Sequence, residues 1–249
     1  MEILDIPGGV LVSQRKFILD LLKEYDCYSQ SSLTSPLDPN IKLRAKEGTP
    51  SPDPTYYRKL VGKLNFLTNT RLDIAFSVQH LSQFMQDPRT SHLQAAFHLL
   101  RYLKQDPTLG LHLSKDSDCS IKAYCDSDWA SCPDSRRSVS GYLVLLGNSP
   151  ISWKSKKQET ISLSSAEAEY RSIRKVVGEL VWLHRLTKEL TISDSSPIPV
   201  FCDSQSAIHI AHNPVSMREP SILKSIVTLY AANFRRGSFH YITFLPLSS

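Results

Sequence analysis

Apolar positions fall at helical spacing in the first half of the chain and at strand spacing in much of the second. Phe17, Ile18, Leu21, Leu22 and Tyr25 lie on one stripe and predict a helix from about Gln14 to Tyr25, after a turn marked by Gly8 and Gly9. Pro36, Pro39, Pro50, Pro52 and Pro54 then interrupt the chain, and proline neither continues a helix nor donates to a ladder, so a loop is predicted there. Three helical stripes follow: Tyr57, Leu60, Val61, Leu64 and Leu67; Ile74, Val78, Leu81, Phe84 and Met85; Leu93, Ala96, Phe97 and Leu100. Asp53 or Thr55 is placed to cap the first of them.

After Leu109 the pattern shortens to runs separated by turn residues, LGLHLS, CSIKAYCD, VSGYLVLLG and PISWKS, which read as strands. A long helix is predicted from about Ser164 to Leu190, then a strand in PIPVFCD and a helix in SQSAIHIAH. Strands, helix, strand, helix is an α/β order, and a boundary is placed near residues 108–118.

Composition adds limits. The chain has 249 residues, 41% hydrophobic and 21% charged, ordinary values for a folded protein. No run of about 18 apolar residues suggests a membrane span, and MEILDIPGGV is no basic-then-apolar leader, so a cytoplasmic or nuclear location is expected. Five cysteines without a C-x-x-C pair fit reduced thiols better than a disulfide framework or zinc site. A net charge of +5 is compatible with nucleic acid without proving it.

Three carboxylates stand at element ends: Asp126 closes IKAYCD, Glu169 lies on the helix opening SSAEAEY, and Asp203 closes PVFCD. Sites in open α/β sheets form at the carboxyl ends of strands, so the three can converge. Converged carboxylates repel unless a cation neutralises them, and hard oxygen ligands favour Mg²⁺ or Mn²⁺. Taken singly, each is also readable as an ordinary strand-end or capping acid; Asp203 before SQSAI suits a helix N-cap. His209 and His212 have ligand-like spacing, but surface or core positions are the simpler reading.

The words AYCDSDWA, SGYLVLLG, ISWKSKKQETISLSSAEAEY and VFCDSQSAIHIAHNP resemble the ribonuclease H domain of copia-type retrotransposon Pol polyproteins. YYRKLVGKLNFLTNTRLDIAFSVQHLSQFMQDP and LLRYLKQDPTLGL resemble the segment joining polymerase to ribonuclease H there, and GVLVSQRKFILDLL the part after the polymerase palm. The resemblance runs from about residue 2 to Pro214 in the family's order, with Leu72 where the family usually has proline. It implies a ribonuclease H-like mixed sheet with flanking helices, preceded by a mainly helical connection segment. The implied divisions are 1–53 (end of reverse transcriptase and linker), 54–108 (connection), 109–215 (ribonuclease H-like) and 216–249 (tail).

It further implies that Asp126, Glu169 and Asp203 are three of four metal-binding catalytic carboxylates for two Mg²⁺ or Mn²⁺ ions. Asp126 would bridge the ions, and Glu167 remains an alternative to Glu169. The implied substrate is the RNA strand of an RNA–DNA hybrid, and other Pol segments are possible partners. Trp153, Lys154, Lys156 and Lys157 are candidates for contact with the hybrid's backbone, or form a solvated hairpin end with a packed Trp. No Y-x-D-D word is found, so no polymerase activity is expected. Arg71 and Asp73 read as structural.

After Val215 the family's F-H-E-R-T-K-H-I-E-x-D-C-H word is replaced by SMREPSILKSIV. One codon choice for these residues, with a single base restored ahead of them, encodes Phe-His-Glu-Arg-Thr-Lys-His-Ile-Glu-Ile-Asp. A one-base deletion near Val215–Ser216 is therefore expected, with the fourth carboxylate lost, activity impaired and a poorly packed tail; a non-catalytic binding remnant or a decayed product are the alternatives.

Overall fold

The computed structural model describes residues 1–192, 197–212 and 242–247. Two compact units are present: Met1–Asp116 with Cys132–Arg136, and Ser117–Ser131 with Arg137–Ser249.

In the first unit, β1 (Glu2–Ile6) and β2 (Gly9–Ser13) form an antiparallel hairpin. Its turn needs Gly8, whose φ of 83° is strained for any residue with a Cβ. A third strand, β3 (Leu111–Ser114), pairs antiparallel with β2, giving the order β1-β2-β3. LGLHLS, read above at the head of the second half, therefore belongs to the first unit's sheet, and the division falls after Asp116. Four helices build the core: α1 (Arg15–Glu24), α2 (Pro54–Leu67), α3 (Ala75–Ser82) after a 3₁₀ turn at Leu72–Ile74, and α4 (Thr90–Gln105). The Asp53 carboxylate accepts from the Thr55 and Tyr56 N–H groups at 2.8 and 3.0 Å, satisfying two donors that the first turn leaves without intrahelical partners. The α2 stripe Tyr57, Leu60, Val61, Leu64 and Leu67 is fully buried against Ile18, Leu22, Ile74, Leu99 and Leu100. The second predicted helix stops at Ser82, yet Phe84 stays buried, stacked on His92 with centroids 3.8 Å apart.

The second unit is a five-stranded mixed sheet, β4 (Ile121–Asp128), β5 (Val139–Leu146), β6 (Ser149–Lys157), β7 (Ile198–Cys202) and β8 (Ile242–Pro246), in the order β6-β5-β4-β7-β8. The first three form an antiparallel meander, β7 runs parallel to β4, and β8 runs parallel to β7. The β5–β6 turn uses Gly147 at φ 55°, where a Cβ would sit 2.3 Å from the Asp118 carbonyl oxygen. A long helix, α5 (Ser165–Glu189), packs Ile173, Val176, Val177 and Leu180 onto Ala123, Val144 and Val200, and α6 (Gln205–His212) follows β7. This is the expected α/β class with a mixed sheet.

The expectation for the tail needs correction at one place. Ile242–Pro246 forms a paired edge strand, because alternation turns Ile242 and Phe244 towards the core while Leu247 N–H donates to the Cys202 carbonyl at 3.2 Å. Residues 213–241 lie outside the described residues, and with them the Val215–Ser216 junction and Glu219. No described helix is long and apolar enough to cross a membrane.

Candidate metal centre

Glu169 sits on the first turns of α5, and its position is fixed from below. Gln158, 2% exposed at the end of β6, reaches Ser127 Oγ, Ser140 Oγ and the Ala168 carbonyl at 3.2, 2.9 and 3.0 Å. Its carbonyl oxygen accepts from Ser162 Oγ at 2.6 Å. One amide thus ties the start of α5 to the middle of the sheet, a fully engaged buried group of the kind that rigidifies its surroundings. Ser172 Oγ adds bonds to the Asp126 and Gly141 carbonyls at 2.7 and 3.0 Å.

On this frame the Glu169 carboxylate is buried between β4 and β7. One oxygen accepts from the Ser127 N–H at 3.0 Å, and the other faces Cys202 Sγ at 3.7 Å. One ligand atom each from Glu169, Cys202 and Asp203 lies within 4.8 Å of the others. Burial, then the neighbouring Cys202, Asp126 and Asp203, push the Glu169 carboxyl up to about 8, against the opposing pull of the Ser127 N–H. A carboxyl buried beside further acids is chemically suited to a cation between itself and Asp203. Asp126 is exposed on β4 and is not in the tight set, although its charge reaches both Glu169 and Asp128.

Glu167, two residues away, is engaged elsewhere. Ser164 Oγ accepts from the Glu167 N–H at 3.2 Å, the Glu167 carboxylate accepts from the Leu163 N–H at 2.8 Å, and it also pairs with Arg171. These are N-terminal capping bonds. His209 is exposed on α6 and takes no part in the cluster.

Sheet register sorts the basic stretch. Tyr142 pairs with Lys154 and Ser140 with Lys156, whereas Leu143 pairs with Trp153 and Val139 with Lys157. Successive side chains on a strand alternate faces, so Lys154 and Lys156 share the α5 side and Trp153 and Lys157 stand on the other. The contiguous run therefore is not one contiguous surface.

Cys202 is the member of the cluster that sequence reasoning missed. Cysteine spacing alone leaves it a reduced thiol, and its place beside Asp203 at a strand's carboxyl end is the available signal. The thiol abuts Cys125 on β4, and the pairing with Cys125 holds Cys202 down at about 7 while pushing Cys125 far up.

The Pol polyprotein of transposon RE1 from Arabidopsis thaliana is 44% identical to this chain over 210 residues, 84% of the chain and 14% of the relative. Over 84% of its length the chain is thus homologous to retrovirus-related Pol polyproteins of copia-type transposons. An uncharacterized mitochondrial protein of the same plant, AtMg00810, is 37% identical over 177 residues, 71% of this chain and 73% of the relative. The chain thus spans a small part of the transposon polyprotein and most of the mitochondrial one. No family model matches it. Among solved structures, the foamy viral protease-reverse transcriptase in complex with dsDNA matches at a TM-score of 0.53 and 11% identity, over 100% of this chain and 45% of that one. The fold is a mixed α/β sheet with flanking helices, preceded by a mainly helical segment.

Proposed function

We propose that the second unit of this Pol chain hydrolyses the RNA strand of RNA–DNA hybrids, with turnover lowered by the loss of a fourth carboxylate. One observation carries the reading: Glu169 is buried beside Asp203, and burial first, then Cys202, Asp126 and Asp203, raises its carboxyl. The oxygen donors fit a hard divalent ion, Mg²⁺ or Mn²⁺, with Asp126, Glu169 and Asp203 as holders of two such ions. Bound there, the ions supply an activated water and stabilise the leaving oxygen of a phosphodiester.

The chain's own residues do the positioning. The Ser127 N–H and the Gln158 amide fix Glu169, while β4 and β7 deliver Asp126 and Asp203 at their carboxyl ends. Lys154 and Lys156 are suited to the sugar–phosphate backbone, a contact that carries no base sequence and matches recognition by A-form shape and 2′-hydroxyls. Glu219 is the only acid after Asp203 in the sequence, and the family's fourth-carboxylate word is absent, hence the lowered turnover.

The test is cleavage of an end-labelled RNA–DNA hybrid by the purified full chain with Mg²⁺. Slow cleavage leaving 3′-hydroxyl and 5′-phosphate ends is expected, and Asp126→Asn should remove it without changing the thermal midpoint. Turnover matching an intact ribonuclease H domain would refute the impairment, and unchanged cleavage by Asp126→Asn would refute the site. A second reading, a binding remnant without turnover, draws on Asp126 standing outside the tight set. Salt-sensitive hybrid binding with no cleavage would favour it.

A further inference from the structure

A cavity of about 300 Å³ lies along the flank of α5 over β5 and β6, lined by Ser140, Tyr142, Lys154, Lys156, Lys175 and Glu179 among others. Lys175 is its unusual member. Its ammonium is withdrawn from solvent and has no hydrogen-bond partner among the described residues. An ammonium removed from water without a partner is costly, and such groups are expected to be paired. Burial, then the charges of Lys156, Lys154 and Arg174, depress its basicity, with Glu159 alone opposing them. The nearest carboxylate in the lining, Glu179, is already an acceptor for Ser152 Oγ at 2.8 Å. Three lysines therefore converge on one cavity whose lining, among the described residues, holds a single, already engaged acid.

The cavity's place in the sheet says what anion belongs there. Lys156, Ser140 and Ser127 form one row across β6, β5 and β4, and the next rows carry Asp126 and then Cys125. The basic cavity is thus level with the carboxylate cluster and displaced from it by two strand spacings, roughly 10 Å. Lys175 follows Glu169 by six residues on α5, roughly 9 Å of helical rise. A nucleic-acid strand with one phosphodiester at the carboxylates has others within that reach.

We propose that this cavity is an anion site that holds a backbone phosphate of a bound polynucleotide, with Lys175 as its central cation and Lys154 and Lys156 at its mouth. The polynucleotide as source rests on the function proposed above; the anion site itself does not. Sequence alone hides it, because a lysine on a helix reads as solvated surface.

The experiment has two arms on the full chain. Inorganic phosphate is titrated while the lysine side-chain resonances are followed, and RNA–DNA hybrid affinity is measured against salt with Ca²⁺ present. Phosphate should shift the Lys175 resonance, and Lys175→Gln should weaken hybrid binding several-fold and lower the salt slope by about 0.9, one phosphate's worth. The Lys154→Gln, Lys156→Gln double variant changes exposed residues only, and should weaken hybrid binding in the same sense if the buried substitution disturbs folding. A phosphate-induced shift with unaltered hybrid binding in both variants would keep the anion site and overturn the polynucleotide as its source. No shift with phosphate and unchanged hybrid affinity would overturn the site. If the wild-type chain ignores hybrid at every salt concentration, the functional reading fails while the phosphate arm still decides the cavity.

Discussion

In the first unit a buried charge is matched; in the second, buried Glu169 lies beside acids of its own sign. Arg71, 2% exposed, gives two hydrogen bonds to Asp73 at 3.0 and 2.7 Å and a third to the Asp106 carbonyl at 2.9 Å. Tyr102 Oη donates to the same Asp73 carboxylate at 2.9 Å. Burial works to raise the Asp73 carboxyl, and the Arg71 guanidinium overrides it, leaving it below the usual carboxylate range. Among the described residues Glu169 has no such partner: it faces a thiol and two further acids, with one backbone N–H on its side. A cluster whose charges and hydrogen bonds close on themselves ties chain segments together. One left open asks for something from outside, which is the basis for the cation proposed beside Glu169 and the anion proposed beside Lys175.

The contrast can be broken first at Arg71. Arg71→Met leaves the half-buried Asp73 carboxylate without its cation, with Tyr102 Oη still donating to it, and should cost about 3 kcal/mol in urea unfolding. A cost below about 1 kcal/mol would mean that the matched pair is not what holds this region.

A smaller effect, spread over several pH units, is expected at Glu169. Its folded carboxyl titrates near about 8, above the ordinary 4.5, so without divalent metal its contribution to stability is complete below about 4.5 and is lost as pH rises through about 8. Glu169→Gln should remove that slope and leave the metal-free protein more stable than wild type at pH 8, read from thermal midpoints. Equal slopes in the two proteins would show that the cluster is not electrostatically open. The smallest effect belongs to a cap engaging no outside group: Asp53→Ala should cost about 1 kcal/mol in the same urea titration. A loss as large as that of Arg71→Met would erase the distinction between local capping and a matched buried charge.

Much of this arrangement was legible in the residues. Strand-end Asp126 and Asp203 and helix-start Glu169 follow from periodicity and the family's words. The choice between Glu167 and Glu169 was left open by their spacing, although Ser164 and Glu167 already spell a serine–x–x–glutamate capping sequence. Leu111–Ser114 is too short for its pattern to name a partner sheet, and only pairing with β2 assigns it. Cys202 and Lys175 were missed for a shared reason. A donor's role depends on what stands across the next strand or under the helix, and neighbours in sequence do not report that. Ile242–Pro246 was read as part of an unadapted tail because it was weighed against the family's words, whereas a sheet edge asks only for alternation and free backbone groups.

That edge strand also bears on how the sheet assembles. β8 pairs in parallel with a strand whose partner residues lie 44 positions earlier, Ile198 with Ile242, while the β4–β5–β6 meander is stitched by near neighbours. Non-local pairings come late because chain closure must be met before any contact rewards it. The meander should therefore acquire hydrogen-exchange protection early in refolding, with β8 joining last and opening first. Since Leu247 N–H closes onto the Cys202 carbonyl, the last strand to arrive docks against the strand that carries the thiol beside Glu169.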